Sequence, residues 1–236
     1  MKANNIQLLI LSFIITLSSC DKMEKSGEDN IRPYTENPRY WQYKGQPTML
    51  LGGWDHGHNP FIDHDTEDEN GRQGVSTEAQ IKGAMDELVN TGGNLLRCVL
   101  NPGMAAGIQH HNFTATSGSR YDLNNMTGPF WTRLEMFISE AQKRGIIIQI
   151  EIWDRFDLIN SAWNSWPVSP FNPNNNVNYT TAESGLQDAY PNYIDHPFLQ
   201  GVPGHPVYES ASKDRKKQSD LVRSFQNKFV DKMLSI

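Results

Sequence analysis

Only two cysteines stand in the 236 residues, Cys20 and Cys98. That is too few for a disulfide framework. Charge of one sign is lacking as well. Lysine and arginine number 21 against 27 aspartates and glutamates, giving a net charge of −6. The basic residues are scattered and form no stripe, which argues against a nucleic-acid partner. Long apolar runs are also missing. Beyond the run Ile6 to Leu17, itself short, no segment is long enough to cross a bilayer. The acidic run Asp63 to Glu69 lacks the ligand spacing of a calcium loop and reads as solvated surface. What is present is an aromatic complement of six Trp, eight Tyr and ten Phe, with many Asn. That mixture suits a surface that stacks on sugar rings and bonds hydroxyls. It suits any large extracytoplasmic domain equally well.

Lys2 is followed by the apolar run and then by Leu17-Ser18-Ser19-Cys20. A basic start, an apolar stretch too short for a stable span, and small residues before a cut make an export signal. The ending resembles the lipobox of bacterial lipoproteins. The resemblance implies a signal peptide over residues 1–19 and lipidation of Cys20. It places the protein in the cell envelope, anchored to the outer membrane by its lipid. An ordinary signal peptide with a chance cysteine is the plainer alternative. Two or more acyl chains anchor stably, where one binds only marginally. Residues 20–31 would join that lipid to the domain as a polar, flexible tether. With Cys20 lipidated, no second cysteine remains for an internal disulfide. Cys98 then reads as a small buried hydrophobe in an apolar strand.

The remainder alternates strands and helices. Arg39 to Tyr43 and Gln46 to Leu51 flank Lys44-Gly45 as a hairpin, the second run continuing into a first core strand. Thr77 with Gln80 is a capping box for a helix carrying Ile81, Met85, Leu88 and Val89. Gly92-Gly93 ends it, and Leu95 to Leu100 is a second strand. Pro129 opens a second helix with Phe130, Leu134, Phe137, Ile138 and Ala141 on one face, closed by Gly145. Ile146 to Trp153 is a third strand. A long loop rich in Pro, Asn, Trp and Tyr precedes a third helix, Gln218 to Ile236, with Leu221, Phe225, Phe229 and Met233 as its stripe. Strands alternating with helices imply a parallel sheet. Long loops after strands and short ones after helices favour a barrel whose working face carries the long loops. A complete, smaller α/β domain is the alternative.

Period-two alternation places Ile147, Gln149, Glu151 and Trp153 on one face of the third strand and four isoleucines on the other. On the second strand Leu95, Arg97, Val99 and Asn101 share a face. An arginine in such a strand needs an anion, and its fork suits a carboxylate. Arg97 and Glu151 are therefore expected to point to the same side and interact. They would be substrate contacts, an interior ion pair, or both. If the pair is buried, losing Arg97 should cost roughly 3 kcal/mol through the orphaned carboxylate.

Gly92-Gly93-Asn94-Leu95-Leu96-Arg97 matches the pattern G-x-N-x-x-R. It resembles the second strand of cellulase-like glycoside hydrolases of the family 5 type. Pro38 to Pro47, Tyr121-Asp122-Leu123-Asn124 and the strand after Gly145 continue the likeness over residues 32–236. The resemblance implies a (β/α)8 barrel that cleaves β-linked polysaccharide or oligosaccharide with two carboxylates. It also implies that Arg97 hydrogen-bonds the catalytic nucleophile. The family's Asn-Glu pair after a fourth strand has no counterpart here, so neither catalytic carboxylate is assigned.

His56 and His58, in Trp54-Asp55-His56-Gly57-His58, also match the opening of metal-dependent amidohydrolases, whose other ligands come from later strands. They read more simply as substrate contacts or cover for the barrel mouth. Trp163, Trp166, Phe171 and Tyr179 in the third long loop are either a sugar-stacking wall or local packing.

The expectation is thus an α/β, TIM-barrel-like domain over residues 32–236, with about three βα units and a short preceding hairpin. The barrel is incomplete on this reading, and the chain is the N-terminal part of a glycoside-hydrolase-like lipoprotein. Trp54, His56, His58, Arg97, Asn101, Glu151, Trp153, Asp154, Trp163 and Trp166 would meet a carbohydrate substrate. No metal or cofactor is expected. The membrane is met through Cys20. The alternatives are a metal-dependent amidohydrolase and a noncatalytic carbohydrate-binding lipoprotein.

Overall fold

The computed structural model describes residues 31–52, 62–67, 73–99, 120–126, 128–153, 158, 165–191 and 196–236. The chain divides into two units, Met1–Met49 and Leu50–Ile236.

The first unit holds β1 (Arg32–Pro33), β2 (Trp41–Tyr43) and β3 (Gln46–Thr48), antiparallel and in that order. Lys44 and Gly45 turn between β2 and β3 with φ of 51° and 73°. Two successive left-handed residues match the twist of paired strands, which is why a two-residue loop closes this hairpin.

The second unit begins with a ribbon of β4 (Ile62–Glu67) and β5 (Gln73–Val75), antiparallel and irregular in register between Asp63 and Glu67. Asp63 to Glu67 of the acidic run thus lie in a strand. Helix α1 (Glu78–Asn90) starts at the expected capping box. The Thr77 hydroxyl accepts from the Gln80 N–H, and the Gln80 side chain accepts from the Thr77 N–H. Two orphan donors of the first turn are so satisfied. Ile81 and Met85 are buried, and Leu88 packs beside them.

Strand β6 (Leu95–Val99) leads through helix α2 (Pro129–Lys143) to β7 (Ile147–Glu151). The two strands pair in parallel, Leu95 against Ile147 through Val99 against Glu151. Gly128, with φ of 114°, precedes Pro129 at the start of α2. Phe130, Trp131, Leu134, Phe137 and Ala141 turn inward from it. The expected first core strand is shorter than its sequence suggests. β3 stops at Thr48, and Gly52 bridges Leu95 in parallel. The described sheets have three, two and two strands, so no closed barrel is formed among the described residues.

The long loop after β7 contains four short helices: α3 (Ser165–Val168), α4 (Thr181–Ser184), α5 (Pro197–Gln200) and α6 (Pro206–Ser210). Asparagines hold its first part. Asn172 donates to Trp166 O and Asp188 O, Asn175 to Pro167 O and Ser169 O, and Asn176 to Pro170 O and Asn172 O. These amides replace the ladder that a strand or helix would supply. Helix α7 (Lys213–Leu234) closes the fold, capped by the Ser212 hydroxyl. Phe225, Phe229 and Met233 are buried as the stripe requires, joined by Val222 and Gln226, while Leu221 is only partly covered.

Candidate functional site

The parallel pair β6–β7 sorts its side chains by face. Leu96 and Cys98 are 1% and 0% exposed, packed with the helices, and Ile148 and Ile150 lean on the same core. Arg97 and Gln149, directly opposite each other, take the other face, where Gln149 is exposed. The isoleucine face therefore packs inward, as alternation predicts.

Arg97 Nη2 donates to Glu151 Oε2 across the two strands. Their side chains are 37% and 29% exposed. The pair is thus made, but not in a dry interior. Water reaches both partners, so the large penalty expected for an orphaned buried carboxylate does not apply. Exposed pairs contribute about 0–1 kcal/mol.

The sequence pattern around Arg97 has a structural reason at each position. Gly92 turns the chain with φ of 85°. Asn94 Oδ1 accepts the Leu51 N–H at 2.9 Å, and Leu51 O accepts from Asn94 N and Leu95 N. Asn94 thereby stitches the Leu51–Gly52 segment to β6. Arg97 then reaches across to β7.

Trp153 does not continue the alternation. β7 ends at Glu151, the chain bends, and the indole lies against Phe198 at 5.1 Å, Phe229 at 6.1 Å and Phe171 at 6.3 Å. It is a half-buried packing residue where a barrel-lining one was expected. Trp166 is 0% exposed, and its N–H donates to Gln187 O. Phe171 and Tyr179 are buried as well, Tyr179 with its hydroxyl donating to Phe171 O. For these three aromatics local packing describes the structure, rather than a stacking wall. Trp54, His56, His58, Asn101, Asp154, Trp163 and Cys20 lie outside the described residues.

Asp122, in the segment that also carries the family likeness, accepts from Asn178 Nδ2 at 2.8 Å and from the Asn124 N–H. The Asn178 bond, then the Asn124 amide, hold its carboxyl below the usual range. Asn178 Oδ1 in turn accepts the Leu123 N–H. The motif's acid ties the loop before α2 to the Asn-rich loop.

One residue the sequence reading passed over is His196. It is 0% exposed, with Trp166 at 4.4 Å and Tyr190 at 3.9 Å between ring centres. Nδ1 accepts the Phe198 N–H, while Nε2 has no hydrogen-bond partner among the described residues. Burial pushes its pKa down to about 3. The cue was His-Pro before an apolar pair, a cap followed by proline in the first turn.

A pocket of about 60 Å³ lies between α5, α6 and α7, lined by residues including Pro197, Tyr208 and Arg215. It has room for no more than a few waters and is well below the several hundred Å³ of a ligand site. Among the described residues no group of three His, Cys, Asp or Glu could hold a metal ion, and no helix is long and apolar enough to cross a membrane.

No protein-family model matches the chain, and no curated protein or solved structure was found to match it.

Proposed function

We propose that the chain belongs to a lipid-anchored, glycoside-hydrolase-like protein of the cell envelope that takes β-linked polysaccharide or oligosaccharide. The observation that carries this reading is the joined geometry of the G-x-N-x-x-R segment. Gly92 turns, Asn94 stitches the Leu51–Gly52 segment to β6, and Arg97, midway along β6, meets Glu151 at the carboxyl end of the parallel strand β7. Parallel α/β sheets place their ligand sites at the carboxyl ends of strands. β6 and β7 would then be neighbouring strands of a (β/α)8 barrel.

In this reading Arg97 and Glu151 are binding and positioning groups. A guanidinium carries five donors in a planar fork. It can hold Glu151 and still present N–H groups to a sugar hydroxyl or to a second carboxylate. Hydrolysis of a glycosidic bond needs a second carboxyl group at a set separation, about 5–5.5 Å for retention and about 6.5–9.5 Å for inversion. Glu151, already bonded to an arginine, suits the role of a charged acceptor for hydroxyls better than that of a proton donor. The catalytic carboxylates are not assigned.

The test is calorimetric titration of the full chain with β-linked gluco-, manno- and xylo-oligosaccharides, alongside an aryl-glycoside assay. Binding that weakens about tenfold in both Glu151→Gln and Arg97→Lys supports the reading, since each removes a charge-assisted bond. No binding to any of the panel would sink it. Stoichiometric zinc lost on mutating His56 and His58 would point instead to the amidohydrolase alternative.

A further inference from the structure

His196 and His205 stand in equivalent places. Each precedes a proline, each caps the short helix that follows, and each does so through Nδ1. His196 Nδ1 accepts the Phe198 N–H at 3.1 Å, and His205 Nδ1 accepts the Val207 N–H at 3.2 Å. A ring nitrogen accepts only while it carries no proton. Protonation of His196 would turn its cap into two donors facing one another. It would also place a charge among Trp166, Tyr190 and Phe198.

The segment these caps begin is thinly held. Phe198 is buried, but Leu199 and Val207 are 41% and 48% exposed. Its ties to α7 are mostly polar. Gln226 donates to Phe198 O, Arg223 to Gly201 O, Tyr208 to Asp220, and Lys216 to Glu209 O. Phe198 is the one buried apolar side chain of residues 196–211, and segments held by few buried apolar side chains open locally before the whole fold does.

The charged neighbours do not offset a proton on His196. Arg215 of α7 and Asp188 of the preceding loop act on Tyr190 in opposite directions. Arg223 is engaged with Asp220 and Gly201. Near His205, Glu209 accepts the Gly204 N–H. Asp195 lies outside the described residues. Desolvation is the cause of the low His196 pKa.

We propose that residues 196–211 form an acid-released latch, closed on α7 and the aromatic cluster while His196 is neutral, and opened when it takes a proton. Opening would withdraw Phe198 from Trp153, Phe171 and Trp166, uncovering the rings beside the end of β7. The inference is independent of any sugar-binding activity.

Hydrogen exchange on the full chain tests it, with protection corrected for intrinsic rates at about pH 7.5 and about pH 5. An imidazole that titrates near 6.5 only when exposed should raise the opening constant of 196–211 about 30-fold over that range. Helices α1 and α2 should hold their protection. His196→Asn, which still caps but does not titrate, should reduce the pH effect to within about threefold. Equal protection at both pH values would overturn the latch. So would a loss shared by α1 and α2, or a full pH effect in folded His196→Asn. If that variant loses α1 and α2 protection at both pH values, the wild-type comparison decides alone. Segment-specific loss supports the latch, and its absence refutes it.

Discussion

Arg97 and Glu151 are paired in the expected direction and solvated to an unexpected degree. Alternation along β6 and β7 tells which face a side chain takes, because the pleat is fixed by the backbone. It does not tell how much protein stands in front of that face. Arg97→Ala should therefore lower stability by about 1 kcal/mol or less in urea titration, since water can rehydrate the carboxylate. A loss near the roughly 3 kcal/mol of a buried pair would show the face to be covered in solution. Trp153 marks the other limit of the same rule. Alternation ends with the strand, and two residues past Glu151 the indole has turned to Phe198 and Phe229.

At the scale of elements, what was legible had a local cause. The Thr77 capping box, the Lys44-Gly45 turn and the stripe of α2 are each written within a few residues and each form where expected. The loop after β7 was opaque for a physical reason. Helices of four or five residues are too short to show apolar periodicity, and caps and tertiary ties hold them instead. α4 is an example. The Thr180 hydroxyl accepts from Glu183 at its start, and Gly185 ends it with φ of 65°. Arg215 of α7 donates to Gly185 O at 3.0 Å. A Cβ on Gly185 would collide with that guanidinium. Gly185→Ala should cost at least about 1–2 kcal/mol in thermal or urea unfolding, from the left-handed backbone alone. Gly204→Ala, also left-handed but with open space around its Cβ, isolates the backbone part of the effect. Equal losses in the two variants would show that the Arg215 contact adds nothing.

Across the second unit, acid should act in two stages. Glu140 bonds Lys143 at 2.6 Å and Arg144 at 2.7 Å, and Arg144 also bonds Asp86 of α1 at 2.6 Å. Lys143, then Arg144, hold the Glu140 carboxyl down to about 2. Its folded pKa lies below its unfolded value of about 4.3, so its contribution is present above that value and is lost as pH falls toward about 2. For His196 the neutral form is favoured. Stability is full above the unfolded pKa of about 6.5 and declines as pH falls toward about 3. Circular dichroism and tryptophan fluorescence, followed together during acid titration, should separate. The aromatic signal should change between about pH 6.5 and about pH 4.5, ahead of the helical signal. Coincident transitions would contradict the two stages.

For the chain in its cell, the lipobox reading predicts that mature protein pellets with membranes. Cys20→Ala should leave it released or unprocessed. Unchanged fractionation of the variant would remove the anchor from the proposed function.

The asparagine-held loop has a consequence for how the protein meets other enzymes. A protease must draw a stretch of backbone out into its cleft before it can cut. Between Trp166 and Asp188 the carbonyls that would have to be surrendered are already claimed by Asn172, Asn175 and Asn176. Such a stretch, although built with little regular structure, should persist as an intact fragment under brief digestion. Cleavage should begin in the thinly held residues around Gly204, where the Pro203–Gly204 bend is exposed and bears no such amides.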